Sequence, residues 1–201
     1  MAVERKEMQK VTRESLLTLE AYAKARPDIR AKVIAHKKNR TLHLGEHLTL
    51  IFEDEMTIRY QIQEMLRAEK TFEEAGIQDE LEAYNPLIPD GSNWKATLMI
   101  EYSDPQVRAA QLGKLKGIED RIWVKAGHCA PVYAVADEDL ERENAEKTSA
   151  VHFLRFELPV DSVAALKQGE SLSIGVDHAA YSAVLNNVPA AVRGSLVQDL
   201  A

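Results

Sequence analysis

The sequence offers very little thiol chemistry, because Cys129 is the single cysteine among 201 residues. One thiol excludes an internal disulfide, a four-thiolate zinc site and an iron–sulfur cluster held by this chain alone. No run approaches the roughly 20 consecutive apolar side chains that cross a membrane, and the charged segment Met1 to Lys10 lacks the apolar core of a secretory signal. We therefore predict a cytoplasmic protein that is not bound to a membrane.

Positive charge is also scarce. Lys and Arg number 25 against 32 Asp and Glu, which gives a formal net charge of -7. Because nucleic-acid binding relies on cations that neutralise phosphates, we expect no nucleic-acid partner. The basic segment from Arg26 to Arg40 is interpreted as a solvated helix face whose cations lie toward the helix C-terminus. A site for phosphate or for an acidic partner is the alternative.

Complete catalytic signatures are missing as well. The sequence has no Walker phosphate loop, no dinucleotide-binding glycine pattern and no nucleophile elbow. Its composition, 45% hydrophobic and 28% charged, is that of an ordinary globular protein with a sizeable core. The sequence therefore leaves open whether the protein is an enzyme, what its substrate would be and which oligomeric state it adopts.

Residues 1–90 predict a module of two helices, a β-hairpin and a long helix. The first helix follows Thr12, and Pro27 occupies the first turn of the second. Apolar residues alternate over 41–53 on either side of a two-residue turn, which is typical of a hairpin. An apolar stripe at the helical repeat then extends over 54–75.

Residues 91–201 predict a duplicated strand–helix–strand pattern after a loop rich in turn residues. The two units cover 94–126 and 151–178, and the acidic link 137–147 between them has the charge spacing of an exposed helix. Two such units favour an α+β fold with a ferredoxin-like split βαβ sheet, four-stranded and antiparallel, with helices on one face. This sheet and the N-terminal module form two domains or pack as one compact unit.

Three histidines of this predicted sheet form a candidate metal site. His152 begins its strand whereas His128 and His178 end theirs, so an antiparallel ferredoxin-like sheet places all three at one end. Glu69, inside the apolar stripe of the long helix, supplies a carboxylate if that helix covers this end. A set of histidines and a carboxylate suits zinc or non-haem iron. The alternative is that each histidine is a residue at the edge of the core, satisfied by backbone groups.

The opposite face of the predicted sheet carries large apolar side chains, namely Met99, Trp123 and Phe153. Such a surface fits docking on a partner protein. It equally fits packing against the N-terminal module.

Several stretches that together span nearly the whole chain carry a family resemblance. They are His-Lys-Lys-Asn-Arg from His36, Leu-Gly-Glu-His from Leu44, Tyr-Gln-Ile-Gln-Glu-Met-Leu-Arg from Tyr60, Tyr-Asn-Pro-Leu-Ile-Pro-Asp-Gly-Ser-Asn-Trp from Tyr84, Gly-Ile-Glu-Asp-Arg from Gly117, Asp-Glu-Asp-Leu-Glu-Arg-Glu-Asn from Asp137 and Ser-Ala-Val-His-Phe-Leu-Arg-Phe-Glu-Leu from Ser149. These segments resemble a bacterial family, domain-of-unknown-function family 3501. The family carries no assigned catalytic residues that the resemblance would transfer to this chain.

The resemblance implies a metabolic context. Genes of the family often neighbour genes for rubrerythrin-like proteins and iron–sulfur oxidoreductases. It therefore implies an accessory or partner protein in redox or peroxide-defence metabolism, with those proteins as partners. A metal-dependent enzyme that uses zinc or non-haem iron is the alternative, and it rests on the histidines and Glu69.

Overall fold

The computed structural model describes residues 10–201, which form six α-helices and nine strands in two antiparallel sheets. The helices are α1 (Leu19–Lys37), α2 (Glu55–Glu69), α3 (Glu74–Tyr84), α4 (Pro105–Lys114), α5 (Val160–Lys167) and α6 (Ala190–Val197). The strands are β1 (Thr41–Leu44), β2 (Leu48–Phe52), β3 (Asn93–Ile100), β4 (Ile122–Ala126), β5 (Val132–Tyr133), β6 (Val135–Ala136), β7 (Val151–Glu157), β8 (Leu172–His178) and β9 (Tyr181–Leu185). The predicted α+β class is confirmed. No helix in this part of the chain combines the length and apolarity needed to cross a membrane.

One helix replaces the two predicted at the start of the chain. Thr12 caps only a 3₁₀ turn, and α1 begins after Thr18, whose hydroxyl accepts a hydrogen bond from the Ala21 N–H. Pro27 lies inside α1 on its exposed side. The helix continues because Tyr22 and Val33, buried on either side of Pro27, hold both halves in the fold.

The predicted hairpin is β1–β2, but its turn is one residue longer than expected. Leu44 pairs with Leu48, so residues 45–47 form the loop, with Gly45 at a left-handed φ of 69°. Strand β2 also pairs with β3, since Leu50 lies opposite Leu98. The hairpin is therefore part of the same sheet as strands from residues 91–201.

The predicted long helix is two helices. Helix α2 ends at Glu69 because Lys70 adopts a left-handed conformation, φ 56°, and α3 follows after a short link. A separate apolar cluster packs α2 and α3 against the segment that precedes α1. Its buried members are Val11, Leu16, Ile58, Ile62, Leu66, Ile77, Leu81 and Ile88.

The strands of the two repeated units do not form the single ferredoxin-like sheet that was predicted. The first strands of the units, β3 and β7, pair in a sheet of order β1-β2-β3-β7-β6, whereas the second strands, β4 and β8, pair in a sheet of order β5-β4-β8-β9. Each helical connection thus carries the chain from one sheet to the other. Apolar side chains of both sheets, such as Leu98 and Ile174, belong to one core cluster. When two sheets bury one face against each other, apolar and polar residues alternate along each strand. A single sheet packed on helices shows the same alternation, so the sequence pattern fits both arrangements.

A buried arginine ties the hairpin to the C-terminal segment. Arg40 is 1% exposed, and its guanidinium donates to the backbone oxygens of Phe52 and Glu53 and to both carboxylate oxygens of Asp199. Its Nε also lies 3.3 Å from Asp54, the N-cap of α2. This one side chain therefore joins the end of β2 and the start of α2 to the C-terminal segment, 159 positions away.

Candidate metal centre

The structure does not bring the predicted histidines together at one sheet edge. Strands β4 and β8 run antiparallel, with Ala126 opposite Leu172, so His128 after β4 and His178 at the end of β8 lie at opposite ends of their pair. His152 belongs to the other sheet, in β7. The predicted convergence depended on the single ferredoxin-like sheet, and it is lost with it.

Two of the four predicted ligands have other surroundings. The His178 Nε2 lies 3.0 Å from the Lys116 backbone oxygen, the kind of backbone contact that satisfies a histidine at the edge of a core. Glu69 is exposed at the end of α2; the pKa of Glu80 is raised by burial and, to a smaller extent, by the charge of Glu69. Neither side chain lies in the cluster that contains His152.

His152 lies in a polar pocket inside the protein. Its side chain is fully buried, and its Nδ1 is 2.6 Å from Asp137 Oδ2. Its Nε2 is 3.0 Å from the Thr148 hydroxyl, 3.0 Å from the Ser149 backbone oxygen and 3.8 Å from Glu119 Oε2. Of the four predicted ligands, His152 alone meets carboxylates in a compact group.

Asp137, which directly follows the edge strand β6, holds the imidazole. Its backbone N–H donates to the Phe153 oxygen and its Oδ1 accepts from the Phe153 N–H, at 2.8 and 3.0 Å. These two bonds hold Asp137 in a left-handed conformation, φ 49°, which few residues other than glycine adopt. The backbone is thus fixed in the geometry that aims Oδ2 at His152 Nδ1.

Glu119 approaches His152 from the 3₁₀ turn Ile118–Arg121 that precedes β4. Its carboxylate is buried, and burial raises the pKa of the Glu119 carboxyl above its ordinary value, against the opposing effect of a charged His152. Glu119 Oε2 accepts a long hydrogen bond of 3.4 Å from the Thr148 hydroxyl. A carboxylate in such surroundings needs a proton or a cation.

The segment after Asp137 closes over this pocket as a loop. Residues 137–147, predicted to form an exposed helix, instead contain an isolated bridge between Glu143 and Thr148 and no helical turn. Arg142 lies 3.2 Å from Asp137 Oδ1, and its guanidinium lies 4.6 Å from the centre of the Phe153 ring. The charge spacing that suggested a helix therefore serves contacts to Asp137 and to β7.

Sequence reasoning missed Asp137 and Glu119 as partners of His152. Asp137 opens an acidic run and Glu119 lies in a turn, so nothing local distinguishes them from the many other acidic residues of the chain. Ligand atoms of Glu119, Asp137 and His152 all lie within 4.8 Å of one another.

The comparisons with known proteins agree with the architecture. A solved structure of a novel protein of unknown function from Burkholderia pseudomallei K96243 is 59% identical, covers 96% of this chain and 100% of its own, and superposes with a TM-score of 0.92. No curated protein matches the chain. The profile of the family described as "Protein of unknown function (DUF3501)" matches residues 10–200. The chain therefore belongs to the DUF3501 family.

Proposed function

We propose that the protein binds one divalent metal ion, zinc or iron(II), between His152 and Glu119. In this arrangement His152 Nε2, Glu119 Oε2 and the Thr148 hydroxyl are the ligands. Asp137 accepts the Nδ1 proton and orients the ring, as carboxylates commonly do behind a metal-bound histidine.

The distances among the three ligand atoms support this proposal. Nε2 to Oε2 is 3.8 Å, Nε2 to the hydroxyl is 3.0 Å, and the hydroxyl to Oε2 is 3.4 Å. A circle through three atoms at these separations has a radius of about 2 Å, which is the usual length of a zinc bond to histidine nitrogen or carboxylate oxygen. An ion at its centre would lie at bonding distance from all three atoms.

A metal-free account of the same contacts exists and makes a different prediction. A doubly protonated His152 donates from Nδ1 to Asp137 and from Nε2 to the Ser149 oxygen, so that a positive imidazolium partners the buried carboxylates. Both accounts explain the burial of Glu119. They differ in whether purified protein carries metal.

Metal analysis of untagged protein is the direct test. We expect close to one equivalent of zinc or iron in the wild type and loss of most of it in Glu119→Gln, which keeps the shape of the side chain but removes its charge. His152→Ala should lose the metal as well. The matched control is His128→Ala, an exposed histidine outside the pocket, which should keep it. Substoichiometric metal, or metal unchanged in folded Glu119→Gln, would sink the proposal.

An accessory role in redox or peroxide-defence metabolism is the use we propose for such a site. His152 is fully buried, so a substrate has no direct access to that side of the ion, whereas a catalytic metal needs an open position. This burial favours an accessory protein over the alternative, a metal-dependent enzyme. Rubrerythrin-like proteins and iron–sulfur oxidoreductases are the partners to test by co-purification, and no complex at micromolar concentration would count against this role.

A further inference from the structure

A cavity of about 270 Å³ lies on the outer face of the first sheet, on the opposite side of β7 from the His152 side chain. Strand alternation turns Thr97 and Met99 of β3 and Val151 and Phe153 of β7 to this face, opposite the buried core residues of the same strands. The helical side of the cavity comes from Ile58 of α2 and from Leu87 in the 3₁₀ turn after α3. Met99 and Phe153, predicted to lie on an outer apolar face, thus line a space between the sheet and the N-terminal helices.

One end of this cavity is acidic. Glu53 follows β2 and is 8% exposed, and its two carboxylate oxygens accept hydrogen bonds from the hydroxyls of Thr57 at 2.5 Å and Thr97 at 2.6 Å. Both donors are uncharged, so they fix the orientation of the carboxylate without neutralising it. Glu53 lines the cavity, as does Lys37 of α1, and the Glu53 carboxylate keeps lone pairs that can accept from a ligand donor.

We propose that this cavity binds a small amphipathic amine, with its ammonium group on Glu53 and its apolar body between Met99, Phe153 and Ile58. An apolar enclosure with a few fixed polar groups is the usual form of a small-molecule site. The Glu53 carboxylate favours a cation over an anion, because a charged hydrogen bond to it is stronger than a neutral one. The volume, equal to that of about nine molecules of liquid water, suits a single ring or a branched chain of similar size.

The size of the cavity also limits the affinity. A ligand with about nine non-hydrogen atoms, such as phenethylamine, binds with a Kd of about 1–10 mM at ordinary ligand efficiencies. Loss of the charged hydrogen bond in Glu53→Gln should weaken this binding about tenfold or more.

The test is an NMR titration of the full chain with three small probes, two of which share the phenylethyl group and differ in charge. Phenethylamine and 3-methylbutylamine should shift signals of Met99, Phe153 and neighbouring residues, whereas 3-phenylpropanoate, which has the opposite charge, should not. Glu53→Gln should shift the amine titration to about tenfold higher concentration or beyond, and Val151→Trp, a change at a partly exposed position, should block binding by filling the cavity.

Glu101→Gln is the matched control. Glu101 also accepts a hydrogen bond from a threonine hydroxyl, Thr49 at 2.5 Å, but it does not line the cavity. Binding should be unchanged in this variant. The proposal is overturned if no amine binds at ten times the expected Kd, if the acid binds as well as the amine, or if folded Glu53→Gln binds phenethylamine as the wild type does.

Discussion

The ion pair between Arg26 and Glu64 joins α1 to α2 and gives a quantitative prediction of stability. The Arg26 guanidinium donates from Nε and Nη2 to both Glu64 oxygens at 2.7 Å, and the Tyr22 hydroxyl donates to Glu64 Oε1 at 2.5 Å. These bonds, chiefly those from Arg26, lower the pKa of Glu64 from 4.5 to about 2, although burial opposes them. The carboxylate therefore stabilises the fold while it is ionised.

The magnitude follows from the linkage between protonation and folding. At about 1.4 kcal/mol per pKa unit, the full shift corresponds to about 3 kcal/mol. Solvent screening reduces this figure, since the Arg26 and Glu64 side chains are 31% and 23% exposed, and we expect Glu64→Gln to cost about 2 kcal/mol at pH 7. Because the folded pKa lies below the unfolded one, this contribution is complete above pH 4.5 and is lost as the pH falls toward 2.

Urea denaturation of the wild type and Glu64→Gln at pH 7, 4 and 3 measures this dependence. The difference in free energy of unfolding should fall to less than half of its neutral value by pH 3. Glu69→Gln serves as the control, because this exposed carboxylate lies on the same helix and its loss should change stability by less than about 0.5 kcal/mol. An equal cost of Glu64→Gln at pH 7 and pH 3 would refute the electrostatic reasoning and leave only a packing effect.

Two further substitutions test other parts of the fold. In Arg40→Leu the buried Asp199 loses its cation, which should lower the free energy of unfolding by about 3–5 kcal/mol in urea denaturation at pH 8. Burial raises the pKa of Asp199 to about 6, so protonation of this carboxylate should offset part of the cost at pH 5. An equal cost at pH 8 and pH 5 would contradict this reasoning. In Gly175→Ala the new methyl group collides with the indole ring of Trp123, which should lower the free energy of unfolding by about 1–3 kcal/mol and change the tryptophan fluorescence. Gly194→Ala is its control, since it meets open space within a helix and should stabilise the protein by about 0.5–1 kcal/mol.

Local patterns were sufficient to predict most strands, but not how they are distributed between sheets. Trp94, Ala96, Leu98 and Ile100 alternate with polar residues and form β3 as predicted. The same alternation of apolar and polar residues is expected in one sheet covered by helices and in two sheets that pack on each other. The difference arises from pairing over long distances, as between β2 and β3, which no single segment encodes.

The candidate metal centre was predictable only in its histidine. The sequence predicted that His152 begins a strand and could be a metal ligand, and the structure places it in β7 at 0% exposure. Its partners come from elsewhere: Glu119 from a turn before another strand, and Asp137 from the end of a two-residue strand in a left-handed conformation. Residues fixed by loops of this kind leave no periodic signal in the sequence.

The pairing of Arg40 with Asp199 has a consequence for the order in which the chain folds. The two residues are separated by 159 positions, so during synthesis the hairpin leaves the ribosome long before its counter-ion is made. Until then the guanidinium must stay hydrated, and the space around Phe52 and Glu53 cannot close. Contacts over such separations slow folding, because a long loop must be closed before they form. The first sheet is therefore expected to stay open to solvent, and susceptible to proteases, until the segment that carries α6 has emerged.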